Sequence, residues 1–244
     1  MSGFSRTRNT VAKKSSRDRR DTNSAERSAA PFVPASTSLK TLAAAAHGCR
    51  GCDLYKTATQ VVFGEGPKAA RVMFIGEQPG DQEDRQGEPF VGPAGALLDK
   101  ALTDAGIPRD QVYLTNAVKH FKWEPRGKRR IHKKPRASEV KACRPWLEAE
   151  LRAVQPAIVI CLGATAAQSL LGASFKLMQQ RGRVVSSPLA PRVLATIHPS
   201  AVLRAPDSAG RKLAYDGLVA DLKVATKILR SVRLQPDLSR SVRL

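Results

Sequence analysis

The 244-residue chain has no apolar run near the ~20 residues that crossing a bilayer requires, and its N-terminus lacks the apolar core of a secretory signal. These absences predict a soluble, intracellular protein, cytoplasmic and free of membrane contact. Acid is scarce beside base: 21 Asp and Glu stand against 41 Lys and Arg, a formal net charge of +20. So large an excess exceeds what solubility needs and points to a polyanionic partner, nucleic acid before membrane. Neither Gly-x-Gly-x-x-Gly nor Gly-Lys-Ser/Thr is present, which weakens any reading as a nucleotide-phosphate cradle. Cysteine is limited to four residues, Cys49, Cys52, Cys143 and Cys161. A secreted protein would make two disulfides of them; a basic chain without an export signal belongs in a reducing compartment, where metal is the better reading. Thiolates suit zinc and iron-sulfur clusters alike, so spacing alone leaves the metal open. His47, two residues before Cys49, is a weaker competing ligand.

What is present organises into one domain with two tails. Residues 1–38, rich in Arg, Ser, Thr and Asn and without apolar periodicity, predict a disordered basic arm. Residues 39–230 carry the domain, and 231–244, with Ser-Val-Arg-Leu twice, a disordered tail. Within the domain, short apolar runs at 71–75, 112–114, 157–162 and 193–197 read as buried strands, and 183–186 as an edge strand. Helical patterns cover 39–46, 93–104, 164–171 and 210–229, and a further helix, capped by Ser138, runs to about residue 154. Strands alternating with helices predict an α/β fold of three layers, α/β/α, around a central, mostly parallel sheet. Ligands of such sheets bind at the carboxyl ends of the strands. The loops there carry Gly76-Glu77-Gln78-Pro79-Gly80, Asn116 and Ile197-His198-Pro199-Ser200, which should therefore converge.

A basic loop fills the stretch between residues 119 and 141, with ten Lys and Arg against Glu124 and Glu139. It contains Lys128-Arg129-Arg130-Ile131-His132, a single imidazole among fixed positive charges suited to phosphates. By charge alone the better reading is a solvated basic loop with an idle histidine.

The Gly-Glu-Gln-Pro-Gly loop, the four spaced cysteines, the Lys-Arg-Arg-Ile-His segment and the Ile-His-Pro-Ser motif together resemble the family 4 uracil-DNA glycosylases, over residues 39–229. The Lys-Arg-Arg-Ile-His insertion with Gln78 resembles the UdgX branch, whose members excise uracil and stay covalently joined to DNA through the loop histidine. The resemblance implies a uracil-DNA glycosylase-like fold and a 4Fe-4S cluster on Cys49, Cys52, Cys143 and Cys161. It implies uracil-containing DNA as partner, single-stranded or with the base flipped from a duplex. A monomer, associated with a bacterial nucleoid, is expected.

Base excision needs a pocket for the base, selectivity, stabilisation of the departing anion and a trap for the oxocarbenium-like sugar. Asn116 can offer donor and acceptor to one pyrimidine edge, and the resemblance makes it the uracil reader. Phe90, in a Gly- and Pro-flanked loop, matches the stacking aromatic, with Gly80 and Gln78 beside the base. His198 matches the histidine that donates to the uracil oxygen gaining charge. His132 is the expected nucleophile, with Glu77 or Asp81 stabilising the sugar cation or orienting His132. Lys128, Arg129, Arg130, Ser200 and Arg204 are candidate DNA-phosphate contacts. Two alternatives remain: an ordinary, turning-over family 4 enzyme, and a non-catalytic iron-sulfur or zinc protein that binds nucleic acid.

Overall fold

The computed structural model describes residues 27–233. The stretches 1–26 and 234–244, read above as parts of the arm and the tail, lie outside the described residues. Five strands form the central sheet: β1 Val72–Gly76, β2 Val112–Asn116, β5 Ile158–Leu162, β6 Val184–Ser187 and β7 Ala190–Thr196, in the order β2-β1-β5-β7-β6. The first four of that order run parallel and β6 closes one edge antiparallel. β1, β2 and β5 are buried along their whole length, which is why they read as continuous apolar runs rather than alternating ones.

Alternate residues of each strand feed two cores. Val72, Phe74, Ile158, Ile160 and Leu194 face the helices α3 Pro93–Ala105, α7 Pro199–Leu203 and α8 Ser208–Arg233. Met73, Ile75, Val159, Cys161 and Val193 face α4 Ala137–Val154 and α5 Ala164–Leu171. This is the expected three-layer α/β/α arrangement. A third cluster joins α4 to α1 Leu39–Ala46 and the segment around Cys49 and Cys52. Among the described residues no helix is long and apolar enough to cross a membrane.

Three expectations need correction. The arm does not extend to residue 38 as a disordered piece: Ala29 is buried, its N–H donates to the Ala142 carbonyl at 2.7 Å, and Ala30–Phe32 makes a 3-10 turn. Ala29-Ala30-Pro31-Phe32 is apolar enough to dock, unlike the Arg- and Ser-rich residues before it. Ser138 does not cap α4, whose N-cap is Arg136; the Glu139 carboxylate accepts the Arg136 N–H at 2.6 Å. The basic loop is a β-hairpin, β3 Trp123–Arg126 and β4 Arg129–His132, turning at Gly127 with φ 60°. The remaining short helices are α2 Asp81–Gln86 and α6 Leu177–Gln180.

Candidate active site

The loops after β1, β2 and β7 meet at a cavity of about 710 Å³, lined by Glu77, Phe90, Asn116, His132 and His198 among others. Its floor depends on Gly76. A Cβ there would strike Asn116 Oδ1 and come within 2.9 Å of the Phe90 ring, so β1 ends in glycine to admit both side chains. Asn116 is buried, yet its carboxamide makes no hydrogen bond among the described residues, so donor and acceptor both remain for a ligand. Phe90 is held at φ 60°, and its carbonyl lies so close to Gly95 that no side chain fits at that position. Its ring stacks at 26° against that of His198, centroids 6.1 Å apart.

His198 caps the short helix α7. Its Nδ1 accepts the Ser200 backbone N–H at 3.1 Å and lies 2.7 Å from Ser200 Oγ. Burial, with neighbouring Arg204 and His132 adding to it, pushes its pKa down to about 4. The ring is therefore neutral at pH 7 and, with Nδ1 an acceptor, carries its proton on Nε2 as a donor. Ser200 thus serves His198; Arg204, also on the cavity wall, is exposed.

The hairpin delivers His132 to the rim. Glu77 Oε1 lies 3.5 Å from His132 Nε2, while Glu77 Oε2 accepts a short hydrogen bond from Thr165 Oγ1. Half of the His132 side chain stays exposed. Asp81, the other candidate carboxylate, is not on the cavity wall. It forms ion pairs with Arg130 and Arg85, which hold its carboxyl below the usual range although its partial burial acts the other way. Arg130 likewise does not stand free for a phosphate: besides Asp81 it binds Asp84 at 2.6 Å and Thr59 Oγ1 at 2.9 Å. Its guanidinium also lies 5.5 Å from the ring centroids of Phe121 and Trp123. Gln78 is committed to the hairpin rather than to a base. Its Nε2 donates to the Lys122 and Lys133 carbonyls at 3.2 and 3.1 Å, and its Oε1 accepts the Lys122 N–H at 3.2 Å.

Of the basic run, Lys119 is buried in an ion pair with Glu150, and Lys122 pairs with Glu139 at 2.8 Å. Lys128 and Arg129 remain exposed at the hairpin tip. Residues that the sequence did not single out complete the site. Buried Glu83 accepts the Gly92 N–H at 3.0 Å, fixing the loop of Phe90, and leaves no room for a Cβ at Gly80. Lys119 Nζ donates to the Asn116 carbonyl at 2.8 Å and to Thr115 Oγ1 at 2.6 Å. Glu83 was hidden in the unrecognised helix α2, and Lys119 among exposed basic neighbours.

The cysteines separate into three and one. Cys49, Cys52 and Cys143 line one small cavity with Ala29, Gly51, Lys119, His120 and Ala142. Cys161 does not join them: it lies in β5, registered between Ile75 and Ala195, and packs in the core beneath α4 and α5. Strand alternation fixes that direction, and burial alone pushes its thiol up to about 12. Burial also pushes Cys143 up to about 12, with Cys52 and Cys49 contributing, and raises Cys52, with Cys49 contributing. His47 is exposed at the end of α1. Among the described residues no three His, Cys, Asp or Glu side chains close on a single point as one metal ion requires. A four-iron cluster takes each protein ligand at a different iron and sets no such requirement, so three buried thiols around one cavity fit it better than zinc.

The chain belongs to the uracil DNA glycosylase superfamily, whose family model matches residues 63–223. Within it the chain is similar to type-4 uracil-DNA glycosylases. That of Archaeoglobus fulgidus is 39% identical over 65% of this chain and 79% of its own length. That of Thermotoga maritima is 35% identical over 70% and 85%, and that of Sulfurisphaera tokodaii 35% over 65% and 73%.

Proposed function

We propose that this protein is a uracil-DNA glycosylase of the UdgX type, which excises uracil from single-stranded DNA or from a base flipped out of a duplex and is then joined to the sugar through His132. The observation that carries the reading is the meeting of His132 and Glu77 at 3.5 Å on the wall of the cavity that holds Asn116, Phe90 and His198. Asn116 reads the pyrimidine edge and Phe90 stacks on the ring. As the C1′–N1 bond breaks, uracil leaves with the electron pair, and the Nε2–H of neutral His198 donates to the oxygen that gains charge. A nitrogen lone pair of His132 then forms the bond to the oxocarbenium-like C1′. The resulting imidazolium gives up its remaining ring proton, with the Glu77 carboxylate placed as acceptor, and the uracil anion takes a proton from solvent. The site needs only one protein molecule. Of the phosphate contacts expected from the sequence, Lys128, Arg129 and Arg204 are the exposed cations.

A 4Fe-4S cluster on Cys49, Cys52 and Cys143 would supply a structural cross-link between the N-terminal segment and α4, not a reacting atom. The test is a denaturing gel after incubation with single-stranded DNA carrying one uracil or none. A uracil-dependent band that survives denaturation is expected. Free uracil in excess of protein, without that band, would mean an ordinary turning-over glycosylase; neither product would mean a binding protein.

A further inference from the structure

We propose that Met178 packs against the nucleobase next to the uracil on the same strand, covering the face that the flipped base leaves bare. The proposal rests on the reading of uracil-containing DNA as substrate and concerns a residue that neither the motifs nor the reaction employ. Of the large apolar side chains exposed among the described residues, Met178 is the only one on the wall of the cavity that holds Asn116 and Phe90. It is 72% exposed, whereas Leu177 beside it on the same wall is partly buried.

The chain around Met178 imposes that exposure, because α6 is a single turn fixed at both ends. Before it, Phe175 is buried in the core beneath α5, and its carbonyl accepts from Gln168 Nε2 at 3.2 Å. After it, Arg181 is bound to Asp221 of α8 at 2.7 Å, and the Gly182 N–H donates to the Ala195 carbonyl of β7 at 3.0 Å. Leu177 packs against the core, so the next residue, about 100° further round the turn, is carried out towards solvent. One exposed apolar side chain is ordinary on a protein surface. On the wall of a cavity built for a base it stands beside whatever flanks the base inside. Taking a nucleotide out of the stack uncovers a face of each neighbour, and an apolar side chain is a recurrent replacement at such a step. The unbranched, polarizable thioether of Met adapts to any base, so the contact carries little sequence preference.

The test uses full-length protein and single-stranded DNA carrying one 2′-fluoro-2′-deoxyuridine, which resists cleavage and lets binding be measured apart from chemistry. The same strand is also made with an abasic tetrahydrofuran in place of the 5′ or of the 3′ neighbour. Met178→Ala should weaken binding to the intact strand by roughly 2- to 10-fold, the range that a sulfur–aromatic contact supplies, and Met178→Leu should keep most of the affinity. On one of the two abasic strands wild type and Met178→Ala should bind equally, which also identifies the side of the contact. An equal loss on all three strands would overturn the proposal by placing Met178 against the uracil or the backbone, and so would an intact strand bound as tightly by Met178→Ala as by wild type. Wild-type protein that binds this strand no better than its thymine counterpart would remove the uracil reading and this proposal with it. No bond to C1′ forms in any of these measurements, so failure of the reading of His132 is scored separately.

Discussion

Arg130 and His132 lie two residues apart on β4 and therefore on the same face, the guanidinium locked to Asp84 at 2.6 Å and the imidazole 3.5 Å from Glu77. The first holds the strand at the angle that aims the second. Arg130→Ala removes several charge-assisted hydrogen bonds, each worth about 1.5 to 3 kcal/mol when buried, and frees the hairpin. Adduct formation should fall by about 10- to 100-fold, while uracil release, which the proposed mechanism assigns to Asn116, Phe90 and His198, should fall less. Both are read in one single-turnover time course. Equal losses would make Arg130 part of base binding instead.

Gly76→Ala places a methyl against Asn116 Oδ1 and the Phe90 ring. Either the carboxamide or the ring must move, and a displacement of about 1 Å in a positioned site can cost roughly 100-fold in rate. Uracil release should drop at least tenfold with the melting temperature little changed. Wild-type excision by a correctly folded variant would remove Asn116 and Phe90 from the reading.

The depressed pKa of His198 gives a pH prediction with a definite sign. The unfolded chain binds a proton at this imidazole near the ordinary 6.5, the folded protein only near about 4. Stability contributed by the neutral ring is therefore full above pH 6.5 and declines as the pH falls from there to about 4. Excision should show no loss from protonation of His198 until the pH approaches 4, where Nδ1 can no longer accept the Ser200 N–H. Replacing the residue with Gln, which cannot titrate, should leave the profile between pH 5 and 8 unchanged in shape. A limb near pH 6.5 in the wild type that disappears in His198→Gln would show an exposed, charged ring.

The charge of the basic stretch is smaller in effect than in count. Lys119, Lys122 and Arg130 are engaged by Glu150, Glu139, Asp81 and Asp84, so counterion release falls to exposed residues such as Lys128 and Arg129. Replacing both with Ala should lower the slope of log affinity against log salt by about 1.4 on single-stranded DNA, at roughly 0.7 per contact. Replacing Lys119 should leave the slope alone and lower the melting temperature. The reverse pattern would mean that the hairpin tip does not meet the backbone.

Much of this was legible in the sequence because the parallel strands announce themselves. Residues 72–75 and 157–162 are apolar on both faces, and each is followed by a glycine that starts a loop. The placement of Glu77, Asn116 and His198 at one edge follows from those runs. The hairpin was not legible: its alternation of Arg130 and His132 on one face is masked by cations on the other, and Pro125 argues against a strand unless the strand is an edge. Gln78 and Asp81 could be located but not assigned, since what decides their role is the hairpin that they bind. For Cys161, the motif spacing and the strand assignment conflicted. The strand assignment places its thiol in the core beneath α4 and α5, and the structure follows it.

His132 itself carries the sharpest test. On the proposed mechanism the imidazole nitrogen joined to C1′ would be a poor leaving group, so one protein molecule would consume one site and stop. His132→Ser shortens the side chain, and the half-exposed position admits water to the cationic sugar that the imidazole would have captured. Glu77, still held by Thr165, remains to orient or deprotonate that water. The variant should lose the denaturation-resistant band completely, keep uracil release within about tenfold of the wild-type single-turnover rate, and go on to more than one equivalent of uracil per protein. Loss of both band and release would make His132 an acid, a base or a support for the hairpin, whereas a surviving band would require another nucleophile in the cavity. Glu77→Gln separates the remaining roles: if the carboxylate stabilises the sugar cation, uracil release slows with the band, and if it only accepts the imidazolium proton, the band alone is delayed.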